Sequence, residues 1–347
     1  MRVLVTGSEG YIGAVLAPML LDRGLDVVGL DTGFYRDGWL FSRRGRSFPR
    51  CIAKDIRDLV DADLAGFDAV VHLAELSNDP LCQHNPDTTY KINHLGTVHL
   101  ARRAQQAGVA RFVYTSSCSV YGLGEGDCKS EESETNPQTA YAECKLLVER
   151  DLTAMATDDF SPTFLRNATA FGPSPRMRFD LVLNNLAGLA WTTREIKMTS
   201  DGMPWRPLVH VEDICEAIAC VLEAPRDVVH TQVLNVGDTA ANYQVKDIAE
   251  IVAWTFPGCR LSFGTRDGDK RSYRVSFDKI RKQLPDFRCR HDAAAGAAQL
   301  RRIFERNGLG ADRFEFRAFT RLKQVEYLLR TGQIDADCFW SDEAIGP

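Results

Sequence analysis

The apolar run at residues 3–5 leads directly into Thr6-Gly7-Ser8-Glu9-Gly10-Tyr11-Ile12-Gly13, and a strand entering a Gly-x-x-Gly-x-x-Gly turn constrains the fold more than any other feature. Glycine at Gly7, Gly10 and Gly13 permits a tight turn, close approach of backbone to a pyrophosphate, and tight packing of the helix that follows. The N-terminus of that helix directs amide N–H groups and a positive dipole end at the phosphates. Asp31 ends the next apolar run, DVVGLD, eighteen residues beyond Gly13. A carboxylate there accepts from a ribose 2′-hydroxyl and repels a 2′-phosphate, so NAD is expected rather than NADP. Thr32, Gly33 and Phe34, which follow, bring no arginine beside it.

Apolar runs and helical patterns alternate through about the first 125 residues, including a run near Cys51, FDAVVHLA, a long helix to Gln106 and RFVYTSS. This alternation predicts βαβ units, and therefore an α/β chain built on a Rossmann-type doubly wound parallel sheet. At 347 residues the chain is longer than one core usually serves, so a smaller C-terminal α/β substrate lobe is expected. Residues 1–166 are read as the NAD-binding domain, with 207–236 returning to its sheet through PLVHV, a helix and VLNVG. Residues 167–206 and 237–347 are read as the substrate lobe, with a helix near 180–190 and two amphipathic helices near 292–307 and 320–332.

A formal charge of −5 supplies no general basic field for nucleic acid, and Arg43, Arg44, Arg46 and Arg50 read as a solvated loop. No run of ~18 apolar residues occurs, and the first strand leaves no room for a leader, so a cytoplasmic protein without membrane partners is expected. The ten cysteines form neither a C-x-x-C pair nor a zinc-spaced cluster, which favours reduced thiols and no metal site.

Tyr141 and Lys145 lie four apart and share one face of a predicted helix. A phenol of pKa ~10 is a poor base near neutrality, but a nearby ammonium stabilises its phenolate. TSSCSVYG, at residues 115–122, ends a strand at the carboxyl edge of the sheet, where ligand-facing residues are expected. Ser117 can there hydrogen-bond a substrate oxygen as it loses its proton, or cap the turn; Thr115 and Ser116 compete for the role. Asp55, in KDIRD, suits an adenine amino group or is an exposed loop carboxylate.

Taken together the motifs resemble the extended short-chain dehydrogenase/reductase family, in particular its NAD-dependent nucleotide-sugar epimerase/dehydratase branch. The similarity spans roughly residues 1–285, through TGSEGYIG, Asp31, KDIRD, VVHLAE, KIN, SSCSVYG, YAECK, FGPSPRMRFD, PWRPLVHVEDI, LNVGD and KRSYRV. The resemblance implies that Ser117 assists Tyr141 and that Lys145 also holds the nicotinamide ribose. It implies further NAD contacts from Tyr11, Ile12, Ile56, Leu73, Ala74 and Asn93. Arg206 and Arg271 match arginines that grip the diphosphate of a nucleoside-diphosphate sugar, with Ser77, Asn78, Thr169, Arg178 and Asn184 as further substrate contacts. His210 is expected to pack or to cap a helix. The helices at 87–107 and 138–157 correspond to those through which the family forms homodimers.

Oxidation at a sugar carbon, usually C4, passes hydride to NAD and the hydroxyl proton to Tyr141, leaving a ketosugar. A 4,6-dehydratase of this family carries Asp-Glu directly after the catalytic serine or threonine. Cys118 and Ser119 stand there instead, which disfavours simple 4,6-dehydration. Cys118 is either a proton donor or a packed thiol, and Glu75, where the family commonly has alanine, is either a second acid/base or a helix cap. The expected activity is an epimerase with tightly held NAD. A net 4-dehydrogenase or ketoreductase, or a non-4,6 dehydratase, is the alternative; an NAD-sensing regulator is the alternative of another class.

Overall fold

Val3, Leu4 and Val5 are fully buried, as a strand covered by helices on both faces requires. The structure, a computed structural model, describes residues 1–42, 47–123, 128–265 and 271–341. Arg43, Arg44 and Arg46 of the basic cluster lie outside the described residues; Arg50 is exposed.

The strands are β1 (Arg2–Thr6), β2 (Asp26–Asp31), β3 (Cys51–Ala53), β4 (Ala69–His72), β5 (Arg111–Ser117), β6 (Ser161–Asn167), β7 (Thr169–Phe171), β8 (Glu195–Lys197), β9 (Trp205–His210), β10 (Val233–Val236), β11 (Asn242–Gln244) and β12 (Arg260–Ser262). The helices of ten residues or more are α1 (Gly13–Asp22), α2 (Thr97–Gln106), α3 (Ala140–Met155), α4 (Val182–Thr192), α5 (Val211–Glu223), α6 (Val245–Thr255), α7 (Ala293–Asn307) and α8 (Arg321–Arg330). Seven parallel strands form one sheet in the order β10-β6-β5-β4-β1-β2-β3. Alternate residues feed opposite layers: Val3 and Val5 pack with Leu16 and Ile218, while Leu4 packs with Ile56 and Val98. The order reverses between β1 and β4, and the crevice at the carboxyl ends of those strands is where such a sheet binds ligands.

Two boundary expectations are corrected. Of the two segments expected to rejoin the sheet, only β10 does so, beside β6. β9 pairs instead with β7 and β11 in a three-stranded sheet of the lobe, because β10 fills the edge next to β6 and β7 leaves the main sheet after Asn167. The C-terminal stretch, expected in the substrate lobe, folds back onto the first domain. Val325, Leu328, Ile334 and Cys338 close an apolar cluster with Phe34, Leu76, Leu81 and Ile92. The Trp340 indole N–H donates to Thr32 O at 2.6 Å, and Arg57 donates to Asp337 O at 2.7 Å.

The expected long helix ending at Gln106 is present, but Tyr90–Gly96 runs as a wider π turn before α2. No described helix is long and apolar enough to cross a membrane.

Candidate active site

A cleft of about 590 Å³ opens at the carboxyl ends of β1, β2, β4 and β5 and continues between the two lobes. Its floor is the glycine turn. Gly7 has φ +69°, and a Cβ there would lie 2.8 Å from Ala74 N. A Cβ on Gly13 would sit 2.2 Å from Gly7 O, so a side chain at Gly7 would push the turn off the Leu73–Ala74 backbone and one at Gly13 would open the turn itself. Asp31 ends β2 with its carboxylate fixed by Glu9 N at 3.0 Å and Gly33 N at 2.8 Å. Burial raises its pKa, against the lowering effect of those two amides.

Across the crevice, Thr6 Oγ1 accepts from Leu73 N and Ala74 N at 3.2 and 3.3 Å and meets His72 Nδ1 at 2.7 Å. His72 Nε2 lies 2.8 Å from Thr97 Oγ1, and burial, with Lys145 adding, pushes the imidazole pKa down to about 3. A neutral imidazole therefore fixes the Leu73–Ala74 wall. Tyr11, Ile12, Asp55 and Ile56 also line the cleft. Asp55 is not an exposed loop residue: only 11% of its side chain is accessible, and Arg57 grips it at 2.8 Å. Asn93 does not line the cleft; fully buried, it bonds Leu76 N and Leu76 O at 2.9 and 2.8 Å and so shapes the loop that does.

Thr139 caps α3, accepting from Ala142 N at 3.2 Å, and this sets the face on which Tyr141 and Lys145 meet the cleft. Lys145 donates to Thr115 O at 2.5 Å and forms a buried ion pair with Glu75, which also accepts from the Tyr114 hydroxyl at 2.7 Å. Glu75 therefore caps no helix. The Lys145 ammonium sits 5.4 Å from the Tyr141 ring centroid and is paired with Glu75, a partner that the spacing of Tyr141 and Lys145 does not show. Burial, then Glu75 and Asp79, raise the Tyr141 pKa, with Arg178 pulling the other way. Glu75 is itself raised by burial against the lowering effect of Lys145.

The three hydroxyls competing at the end of β5 are separated by their partners. Thr115 donates to His72 O at 2.8 Å and Ser116 to Glu149 at 2.5 Å. Ser117 accepts from Ser119 N at 3.1 Å, which caps the turn and still leaves its O–H to donate into the cleft. Cys118 is placed elsewhere: fully buried, its thiol donates to Arg166 O at 3.1 Å, it lies outside the cleft lining, and burial raises its pKa. Of the two readings of Cys118, the packed thiol is the one the structure has, and the proton donor is corrected on that ground.

At the far end, Arg178 grips Asp180 at 2.9 and 3.0 Å and donates to Ser77 O at 2.9 Å. Asn78 donates to Asp180 at 2.6 Å. Arg206 donates to Trp205 O at 2.8 Å, Arg271 pairs with Asp79, and both arginines line the cleft with Thr169. Asn184 does not line it, being buried and spent on Gly172 N at 3.0 Å and Arg178 O at 3.1 Å. His210 caps α5, accepting from Glu212 N at 3.2 Å. Sequence reasoning missed Asp79 and Asp180, although Asp79 stands next to Asn78 and Asp180 two residues after Arg178. It also missed Arg321, which lies outside every motif.

The model of the NAD dependent epimerase/dehydratase family matches residues 3–237. A UDP-glucose 4-epimerase of Mycolicibacterium smegmatis is 32% identical over 231 residues, 62% of this chain and 72% of that one. A UDP-glucose 4-epimerase of Corynebacterium glutamicum is 28% identical over 312 residues, 82% of this chain and 90% of that one. Among solved structures, MoeE5 in complex with UDP-glucuronic acid and NAD is 28% identical with TM-score 0.76, covering 89% of this chain and 100% of that one.

Proposed function

The chain belongs to the NAD dependent epimerase/dehydratase family, and on that premise we propose that it is a nucleotide-sugar 4-epimerase working through a transient ketosugar. One observation carries this reading: Tyr141, Ser117 and Lys145 line the same cleft as the Gly7–Gly13 turn and Asp31. The residues fit NAD, since Gly7 and Gly13 leave a backbone cradle that a Cβ would close and Asp31 stands ready for the ribose. When bound, NAD supplies the acceptor for the hydride leaving the carbinol carbon and the donor that returns it. Tyr141 takes the hydroxyl proton while Ser117 donates a hydrogen bond to the same oxygen. Arg206 and Arg271 hold the diphosphate by charge-assisted hydrogen bonds.

The 4-epimerase names of the relatives support the carbon and favour a uridine nucleotide. Burial of Cys118 and the lack of Asp-Glu after Ser117 speak against 4,6-dehydration. Incubation with a panel of nucleotide sugars, following product mass and absorbance of reduced cofactor, tests the reading. An isomeric product without free NADH is expected; stoichiometric NADH indicates a net dehydrogenase, and loss of a water mass a dehydratase. Full activity in a cell after Tyr141→Phe would instead favour an NAD-sensing regulator. A homodimer through the 87–107 and 138–157 helices accords with Leu95, which is 58% exposed; a monomer mass in sedimentation at micromolar concentration would reject it.

A further inference from the structure

Arg321 opens α8, on the C-terminal stretch that lies beyond the family match, yet it lines the cleft. It is 3% exposed, and its Nη1 is buried with no hydrogen-bond partner. A buried guanidinium without a carboxylate is costly, and natural structures keep such groups paired. Its neighbours do not pair it. Asp180 is spent on the Arg178 fork at 2.9 and 3.0 Å and takes only the backbone N–H of Arg321, at 3.4 Å. The other carboxylate acting on it, Asp31, accepts from Glu9 N and Gly33 N, so neither carboxylate gives the Arg321 side chain a hydrogen bond. Burial first and Arg178 second push the Arg321 pKa down to about 10, still far above neutrality, so the charge is present.

The guanidinium is nonetheless held in one place. It stacks on the Tyr35 ring at 3.8 Å, and Gln324, almost one turn later on α8, donates to Phe34 O at 2.8 Å. The loop after Asp31 and the start of α8 therefore fix each other, with the guanidinium fork at their junction. A position that served packing alone would be filled at less cost by an apolar side chain of the same volume.

Taking the cleft as a dinucleotide and nucleotide-sugar site, we propose that Arg321 binds an anionic oxygen group of the ligand, either a phosphate or a carboxylate carried on the sugar. A planar fork suits both, and the bound anion would give the buried Nη1 the hydrogen-bond partner it lacks. The C-terminal stretch then contributes a residue to ligand recognition in addition to covering the cofactor loop.

The test is titration calorimetry of the full chain and its Arg321→Met and Arg321→Lys variants with NAD, UDP, UDP-glucose and UDP-glucuronate. Arg321→Met is expected to weaken at least one of these by about tenfold or more, the usual loss for a charge-assisted hydrogen bond, with Arg321→Lys intermediate. Loss for NAD alone assigns a phosphate of the dinucleotide. Loss for UDP and both sugars assigns the nucleotide diphosphate, and loss for UDP-glucuronate alone assigns a sugar carboxylate. The ligand-free Tm of Arg321→Met is expected to hold or rise, since an unpaired buried charge is removed. A lower ligand-free Tm with all four affinities unchanged would make the residue structural and overturn the proposal. A wild-type chain that binds none of the four overturns the reading of the cleft as well.

Discussion

Helix α3 carries two buried ion pairs one turn apart, and they have opposite fates. Glu149 is saturated: Arg166 meets it at 3.0 and 2.7 Å, Ser116 at 2.5 Å, and Arg166 in turn donates to the Tyr121 hydroxyl at 3.1 Å. Neither member touches the cleft. Lys145 and Glu75 are equally buried, with side chains 4% and 3% exposed, but both line the cleft beside Tyr141. Closed on all sides, a buried pair fixes the strand above it. With one side facing a ligand space, the same chemistry sets the charge that a reacting group feels.

The contrast can be broken or sharpened experimentally, beginning with the largest effect. Tyr141→Phe should lower kcat by about 10²–10⁴-fold while leaving NAD affinity intact, as expected for the group that moves the proton. A variant that retained turnover would remove the reason for calling the Lys145 pair functional. Arg166→Leu should cost roughly 3–5 kcal/mol in denaturant unfolding, because it strands a buried carboxylate. In whatever folds, the pH profile of kcat should keep its wild-type midpoint.

Glu75→Gln is the sharper comparison. It removes the carboxylate that raises the Tyr141 pKa most and releases Lys145, and both changes favour the phenolate. The acid limb of the kcat profile should therefore move to lower pH. A limb that stays put, or moves up, would show that Glu75 does not set the tyrosine.

His72, under the Leu73–Ala74 wall, gives the smallest effect. Its folded pKa of about 3 lies below the unfolded 6.5, so only the unfolded chain takes up the proton between those values. Stability should then fall as pH drops through that window, by up to about 1.4 kcal/mol per pH unit for this one group. In His72→Gln the slope of unfolding free energy against pH should lessen by one proton. An unchanged slope would mean that the imidazole charges within the fold.

Much of the cofactor half can be read along the chain. The glycine turn, Asp31 and the alternation of strands and helices are short-range features, each fixed by what lies within a turn or one βα unit of it. Ser117, Tyr141 and Lys145 were found in the same way, by helical spacing and by position at a strand end. Thr115 and Ser116 could be set aside only once their acceptors, His72 O and Glu149, were in view.

The chain by itself thus determined an α/β fold with a glycine turn and a tyrosine–lysine pair on one helix face, because backbone conformation and periodicity are local. The tertiary structure decided who pairs with whom. Glu75 reaches Lys145 across 70 residues, Arg271 reaches Asp79 across 192, and Gln324 reaches Phe34 across 290. It also sent β9 into the lobe and brought Arg321 to the cleft. Contacts at such separations follow from packing and from the need to neutralise buried charge, neither of which leaves a spacing in the sequence.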